Sequence, residues 1–135
     1  DKIWKNWTRH PKSEYLTSKL ENGTYSMYHQ QYQMALKLFT DIIKEDPKWA
    51  EGWNKRATLL FIMGNYEKSL DDIEKVLDLE PRHFGALSGR AQIYLSYKQY
   101  EKAIDDLRKA KSIYPLIKSG ENIRLIEKII KEQQI

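Results

Sequence analysis

The chain has 135 residues, the size of one ordinary domain, and its 41% aliphatic and aromatic content is enough to fill a continuous core, which excludes a disordered polypeptide. Its formal charge of +4 sets 23 Lys plus Arg against 19 Asp plus Glu, interleaved along the whole length as on a solvated helical surface, which argues against nucleic-acid binding. The absence of cysteine excludes disulfide staples, zinc ribbons and thiol catalysis, and no stretch approaches the ~18 apolar residues of a membrane span.

The chain opens at Asp1 without an initiator Met, so any targeting segment is expected to have been removed. Ile3, Trp4 and Trp7 form an apolar cluster ahead of the turn-like run His10-Pro11-Lys12-Ser13. Two roles are open to these tryptophans: folding back over the first helix as a cap, or anchoring a partner, since Trp is enriched at binding hot spots. Ser13 followed by Glu14 is a helix start signal.

Beyond that point the chain repeats itself. Asp46-Pro47, Glu80-Pro81 and Tyr114-Pro115 are 34 residues apart, twice. The same interval links Tyr32, Tyr66 and Tyr100, then Ala35, Ser69 and Ala103, then Leu36, Leu70 and Ile104, then Phe39, Ile73 and Leu107. A further column is small throughout: Gly23, Ala57 and Ala91.

Each period has the chemistry of a helical hairpin. Ala50, Trp53, Ala57, Leu60 and Phe61 recur at helical spacing, and Gly64-Asn65 interrupts them with residues that tolerate a left-handed turn. Helical spacing resumes from Tyr66 through Leu70, Ile73, Val76 and Leu77, until Pro81, which lacks an amide hydrogen, forbids extension. The small column lies where the two helices must approach closely. A single hairpin leaves one apolar face wet, and burying a Leu or Phe contributes about 1.5–3 kcal/mol, so the hairpins are expected to stack.

At the C-terminus Ser119 is placed to cap a last helix carrying Ile123, Leu125, Ile126, Ile129 and Ile130. That helix is expected to cover the third hairpin. The alternative is that this Ile-rich surface also mediates self-association, with Trp4, Trp7, Ile126 and Ile130 as the interface residues.

The candidate chemistry is bland. His10, His29 and His83 fall at turns or repeat boundaries without a carboxylate at metal-ligand spacing, and read as surface residues with no metal. Asp71-Asp72 and Asp105-Asp106 suggest paired carboxylates, but they are one column seen twice. Asp71 is placed to pair with Lys75 and Asp105 with Lys109, at about 0.2–0.5 kcal/mol each. No phosphate loop, serine elbow or triad spacing occurs, so no enzyme and no cofactor are expected.

The run Trp53, Ala57, Leu60, Gly64, Tyr66, Ser69, Ile73, Val76 and Pro81 resembles the tetratricopeptide repeat, as does Leu87, Ala91, Tyr94, Tyr100, Ala103, Leu107, Ala110 and Pro115. The span from Leu16 to Trp49 is weaker, with Lys19 where a large apolar residue is usual and Ser26 where an aromatic is usual. The resemblance implies an all-α, right-handed α-solenoid of three hairpins between terminal capping helices. Its divisions are an N-terminal extension at 1–15, three units across 16–115 (16–49, 50–83 and 84–117 by register) and a capping helix at 116–135. The related RNA-reading pentatricopeptide arrays typically have a period of 35 and lack this turn proline.

The same resemblance implies a scaffold that binds a peptide or an extended protein segment along the first helix of each hairpin. By register that surface holds Leu20, Thr24 and Tyr28, then Glu51, Asn54, Lys55, Thr58 and Ile62, then Gly85, Ser88, Gly89 and Gln92. The amides of Asn54 and Gln92 suit a peptide backbone, and Gly85 and Gly89 either pack closely or leave room for a bulky ligand group. Relatives that grip chaperone tails use two Lys, two Asn and one Arg. Here those places are Leu20, Thr24, Lys55, Gly85 and Gly89, which implies no binding of Hsp70 or Hsp90 C-terminal tails. Ile3-Trp4-Lys5-Asn6-Trp7 and the run Ala50 to Ala57 are also similar to small exported bacterial members of the family, which suggests an exported, periplasmic location.

Overall fold

The computed structural model describes residues 7–116 and 120–134. Ile3, Trp4 and Ser119 lie outside the described residues. Those described contain α-helices and no strand. The helices are α1 (Glu14–Tyr28), α2 (Tyr32–Glu45), α3 (Ala50–Ile62), α4 (Tyr66–Leu79), α5 (Phe84–Ser96), α6 (Tyr100–Ile113) and α7 (Gly120–Gln133). Two compact units divide the chain after Glu80.

The ends of these helices follow from local chemistry. A residue before proline is sterically driven out of the helical region. Asp46 (φ −144, ψ 84), Glu80 (φ −136, ψ 84) and Tyr114 (φ −131, ψ 88) accordingly end α2, α4 and α6. Each hairpin turn is a left-handed residue, at Gln30 (φ 61), Gly64 (φ 81) and Lys98 (φ 59). Around it the amides of Gln31, Asn65 and Gln99 donate to the carbonyls of Ser26, Leu60 and Tyr94, each at 2.8 Å. This is the Schellman closure, and glycine fills its strained position in only one of three turns although a side chain there costs about 1–2 kcal/mol. The start signal at Ser13 holds as well, its Oγ accepting from the Leu16 amide, and Asn65, read only as a turn residue, also caps a helix, its Oδ1 accepting from the Lys68 amide.

In the first unit α1 pairs with α2 and α3 with α4, and α2 packs against α3. Leu16, Leu20, Met27, Ala35, Phe39, Ile42, Trp49 and Leu59 form its core. A Cβ at Gly23 would stand 2.5 Å from Phe39 Cε1, so the largest residue of its column is admitted only by the smallest of the facing one. The later hairpins use Ala57 with Ile73 and Ala91 with Leu107 at those places. Ser69, fully enclosed, donates its hydroxyl to the Ala57 carbonyl at 2.7 Å. Lys19, the departure from the apolar pattern, reaches Asp41 (3.9 Å) and Glu45 (3.8 Å) on α2. Its ammonium is held above the usual lysine value chiefly by the Tyr15 hydroxyl to which it donates, with the two carboxylates adding to this against partial burial.

In the second unit α5 and α6 form one hairpin and α7 packs on α6. Ile123 and Ile126 join Ala91, Ala103, Ile104 and Leu107 in its core, with Ile130 against it. The last helix therefore covers the third hairpin as expected.

The aspartate pairs correct the sequence reading. The first member of each, Asp71 or Asp105, is exposed, whereas Asp72 and Asp106 are buried. Arg56 grips Asp72 with Nε at 2.8 Å and Nη2 at 2.9 Å, and Arg90 grips Asp106 with both at 2.8 Å. The pairing thus runs between the two helices of a hairpin, 16 residues apart, and not one turn along a helix. The first hairpin has Asn22 and Leu38 in these columns and lacks the fork.

Two stability measurements follow. Gly23→Ala should destabilise the chain by about 1–3 kcal/mol in urea unfolding, and adding Phe39→Leu should recover much of that loss, a coupling absent if the close approach is unimportant. Asp72→Ala, which strands a half-buried guanidinium, should cost about 2–3 kcal/mol, against about 0.5 kcal/mol or less for Asp71→Ala.

Candidate functional site

The first helices of the two hairpins in the first unit, α1 and α3, are neighbours. On α1, Thr24 and Tyr28 are one turn apart, and on α3 so are Thr58 and Ile62, with Lys55 three residues before Thr58. Helical geometry puts each set on one face. The repeat makes Thr24 equivalent to Thr58 and Tyr28 to Ile62. Tyr28 is 72% exposed and Ile62 45%, while Thr58 is exposed and Thr24 and Lys55 are half-buried.

The polar groups of this face have a defined polarity. Thr24 donates its hydroxyl proton to the Leu20 carbonyl at 2.8 Å, and Thr58 donates to the Asn54 carbonyl at 3.0 Å. Outward, both hydroxyls present lone pairs only. Lys55 is the reverse, a donor that no carboxylate among the described residues meets within ion-pair distance.

Three residues read as part of this face are interior. Leu20 belongs to the core, Glu51 is completely enclosed, and Asn54 is buried with its amide donating to Glu51 Oε1 at 3.1 Å. Leu20, Asn54 and Ser88 form one column of the repeat, and that column points inward. The polar identity of Asn54 concealed this. In the second unit Gln92 is exposed and Ser88 half-buried. A Cβ at Gly89 would meet nothing within 4 Å, so that glycine marks open space and not close packing.

The terminal residues also differ from their reading. Trp4 lies outside the described residues, and the carbonyl of half-buried Trp7 accepts from Trp49 Nε1 at 3.1 Å. Ile126 is buried and Ile130 half-buried against α6, so neither is free for an interface. The exposed apolar residue of α7 is Leu125, at 58%.

Of the histidines, His29 is exposed and stacks on Tyr25 with centroids 3.8 Å apart, as a surface residue does. The other two are corrections. His10 lies 2.6 Å from Asp46 Oδ2 through Nε2, accepts the Lys12 amide at Nδ1 and meets the Trp49 ring edge-on at 5.0 Å. The N-terminal segment folds back to meet a residue 36 positions away, beyond any helical spacing. His83 is fully enclosed and caps α5, its Nδ1 accepting from the Ala86 amide at 3.0 Å. It fills the column occupied by buried Trp49 one repeat earlier. Among the described residues no group of three or more His, Cys, Asp and Glu is arranged to hold a metal, and no helix is long and apolar enough to cross a membrane.

Comparison with known proteins agrees with this geometry. The tetratricopeptide repeat profile matches residues 50–83 and, in a second form, residues 85–115. A TPR repeat-containing protein of Rhizobium etli is 60% identical over 53 residues, covering 39% of this chain and 26% of that protein. Hsp70-Hsp90 organizing protein 1 of Glycine max is 33% identical over 75 residues, covering 52% and 13% respectively. The chain thus spans a minor part of the length of either relative. Among solved structures, the first TPR domain of Spaghetti (RPAP3), bound to an HSP90 peptide, superposes with a TM-score of 0.81 at 20% identity, over 90% of this chain and 98% of that one. At that identity the likeness establishes the fold, an all-α solenoid of helical hairpins.

Proposed function

Because this chain belongs to the tetratricopeptide repeat family, we propose that it is a non-catalytic scaffold that binds a peptide or an extended protein segment on the first-helix face of its hairpins. One observation carries the reading: large apolar side chains stay exposed at equivalent positions, Tyr28 and Ile62, each one turn from a threonine whose lone pairs face outward. An isolated exposed apolar residue is ordinary, but a repeated one beside oriented acceptors supports a partner surface. A solved relative holding a chaperone peptide supports the same use of the fold. In the second unit, taken by itself, exposed Gln92 is proposed to face a partner, with the opening at Gly89 receiving a bulky group.

The chaperone tail itself is not the proposed ligand. A terminal dicarboxylate needs a cluster of cations, and the five corresponding places hold a single one, Lys55. A second reading, self-assembly, rests on the exposed Leu125 of α7 and on Leu116, 79% exposed.

Affinity capture with the wild-type chain, beside a Tyr28→Ala/Thr58→Arg variant and a Glu74→Lys/Lys75→Glu control, tests the first reading. Retained proteins should be lost with the first variant alone, and equal recovery by all three sinks it. Sedimentation at micromolar concentration should show a monomer; a concentration-dependent dimer lost with Leu125→Glu would favour assembly.

A further inference from the structure

Resting on the peptide-binding reading, we infer that the face formed by α1 and α3 selects an extended segment with one internal acidic residue beside a large apolar one. The juxtaposition that carries this is a half-buried Lys55, without a carboxylate partner among the described residues, on the same face of α3 as Thr58 and Ile62, with Thr24 and Tyr28 at the equivalent places on the neighbouring α1.

Lys55 is the incomplete group. The residue is half-buried and its ammonium meets no carboxylate among the described residues, in contrast to Lys19, Arg56 and Arg90, each of which meets an acid. A ligand carboxylate completes it with a charge-assisted hydrogen bond, stronger than one between neutral groups. The hydroxyl oxygens of Thr24 and Thr58 ask for donors, because their own protons are committed to the carbonyls of Leu20 and Asn54. An extended peptide supplies backbone N–H groups toward one side at every second residue. Tyr28 and Ile62, one turn beyond the threonines on each helix, then offer an apolar seat further along the same face as the charged position.

The number of acids is limited to one. Glu21 is exposed on α1 one turn before Thr24, and it repels a second carboxylate on that side. A lone ammonium likewise gives no basis for a nucleic acid, whose phosphates need many cations. The specified partner is a neutral-to-mildly acidic extended segment read in its middle.

The test is selection from a random peptide library displayed on phage and fused through the peptide C-terminus, so that no terminal carboxylate is offered. The wild-type chain should enrich peptides with one Asp or Glu within two positions of Leu, Ile, Met or Phe. Lys55→Glu should exchange the acidic preference for Lys or Arg and keep the apolar one. A selected peptide, synthesised with an amidated C-terminus, should bind Lys55→Gln about tenfold more weakly than wild type by fluorescence polarisation. Circular dichroism checks that these variants remain folded. Enriched peptides that depend on Tyr28 but carry no acidic preference, or an acidic preference that survives Lys55→Glu, would overturn this inference and leave peptide binding standing. A folded wild-type chain that enriches no peptide would overturn both.

Discussion

Each hairpin depends on two helix backbones coming close together at one small residue, Gly23, Ala57 or Ala91. Everything around that point is arranged to keep the approach in register. A left-handed residue closes the turn at one end, and a pre-proline residue stops the returning helix at the other. With both ends fixed, the facing columns meet at the same level each time, and Phe39 takes the space that Gly23 leaves. In the second and third hairpins the approach is reinforced by an Arg–Asp fork, whereas the first relies on the larger ring alone. Packing volume and charge pairing are thus exchanged between hairpins that share one backbone plan.

Much of this was legible beforehand because it is written in residues with one conformational meaning. Proline ends a helix wherever it falls, and the apolar columns alternate at a spacing that only a helix gathers onto one face. The turns at Gln30 and Lys98 were less legible: position in the repeat, not residue type, imposes the left-handed backbone there. Arg56 and Arg90 escaped notice for a related reason. Their partners lie 16 residues away on the opposite helix, and a reading that pairs charges three or four apart assigns the wrong aspartate of each pair.

The candidate surface was legible in outline only. Thr24, Tyr28, Lys55 and Thr58 are accessible, but Leu20, Glu51 and Asn54 are not, although the last two are polar. Polarity predicts exposure only when water is the cheapest partner, and Asn54 finds a carboxylate inside the fold. The same substitution of a protein partner for water explains His10 and His83, whose ring nitrogens accept backbone amides.

The forks also change what a distant molecule senses. Arg56 and Arg90 are each cancelled within 3 Å by an aspartate, so both pairs behave as compact dipoles whose potential fades quickly with distance. The long-range field comes instead from lysines and unpaired carboxylates at the periphery, which counterions screen over about 8–10 Å at ordinary ionic strength. Ionic conditions should therefore tune the field that any approaching charged molecule meets, while leaving the clasp between paired helices nearly indifferent.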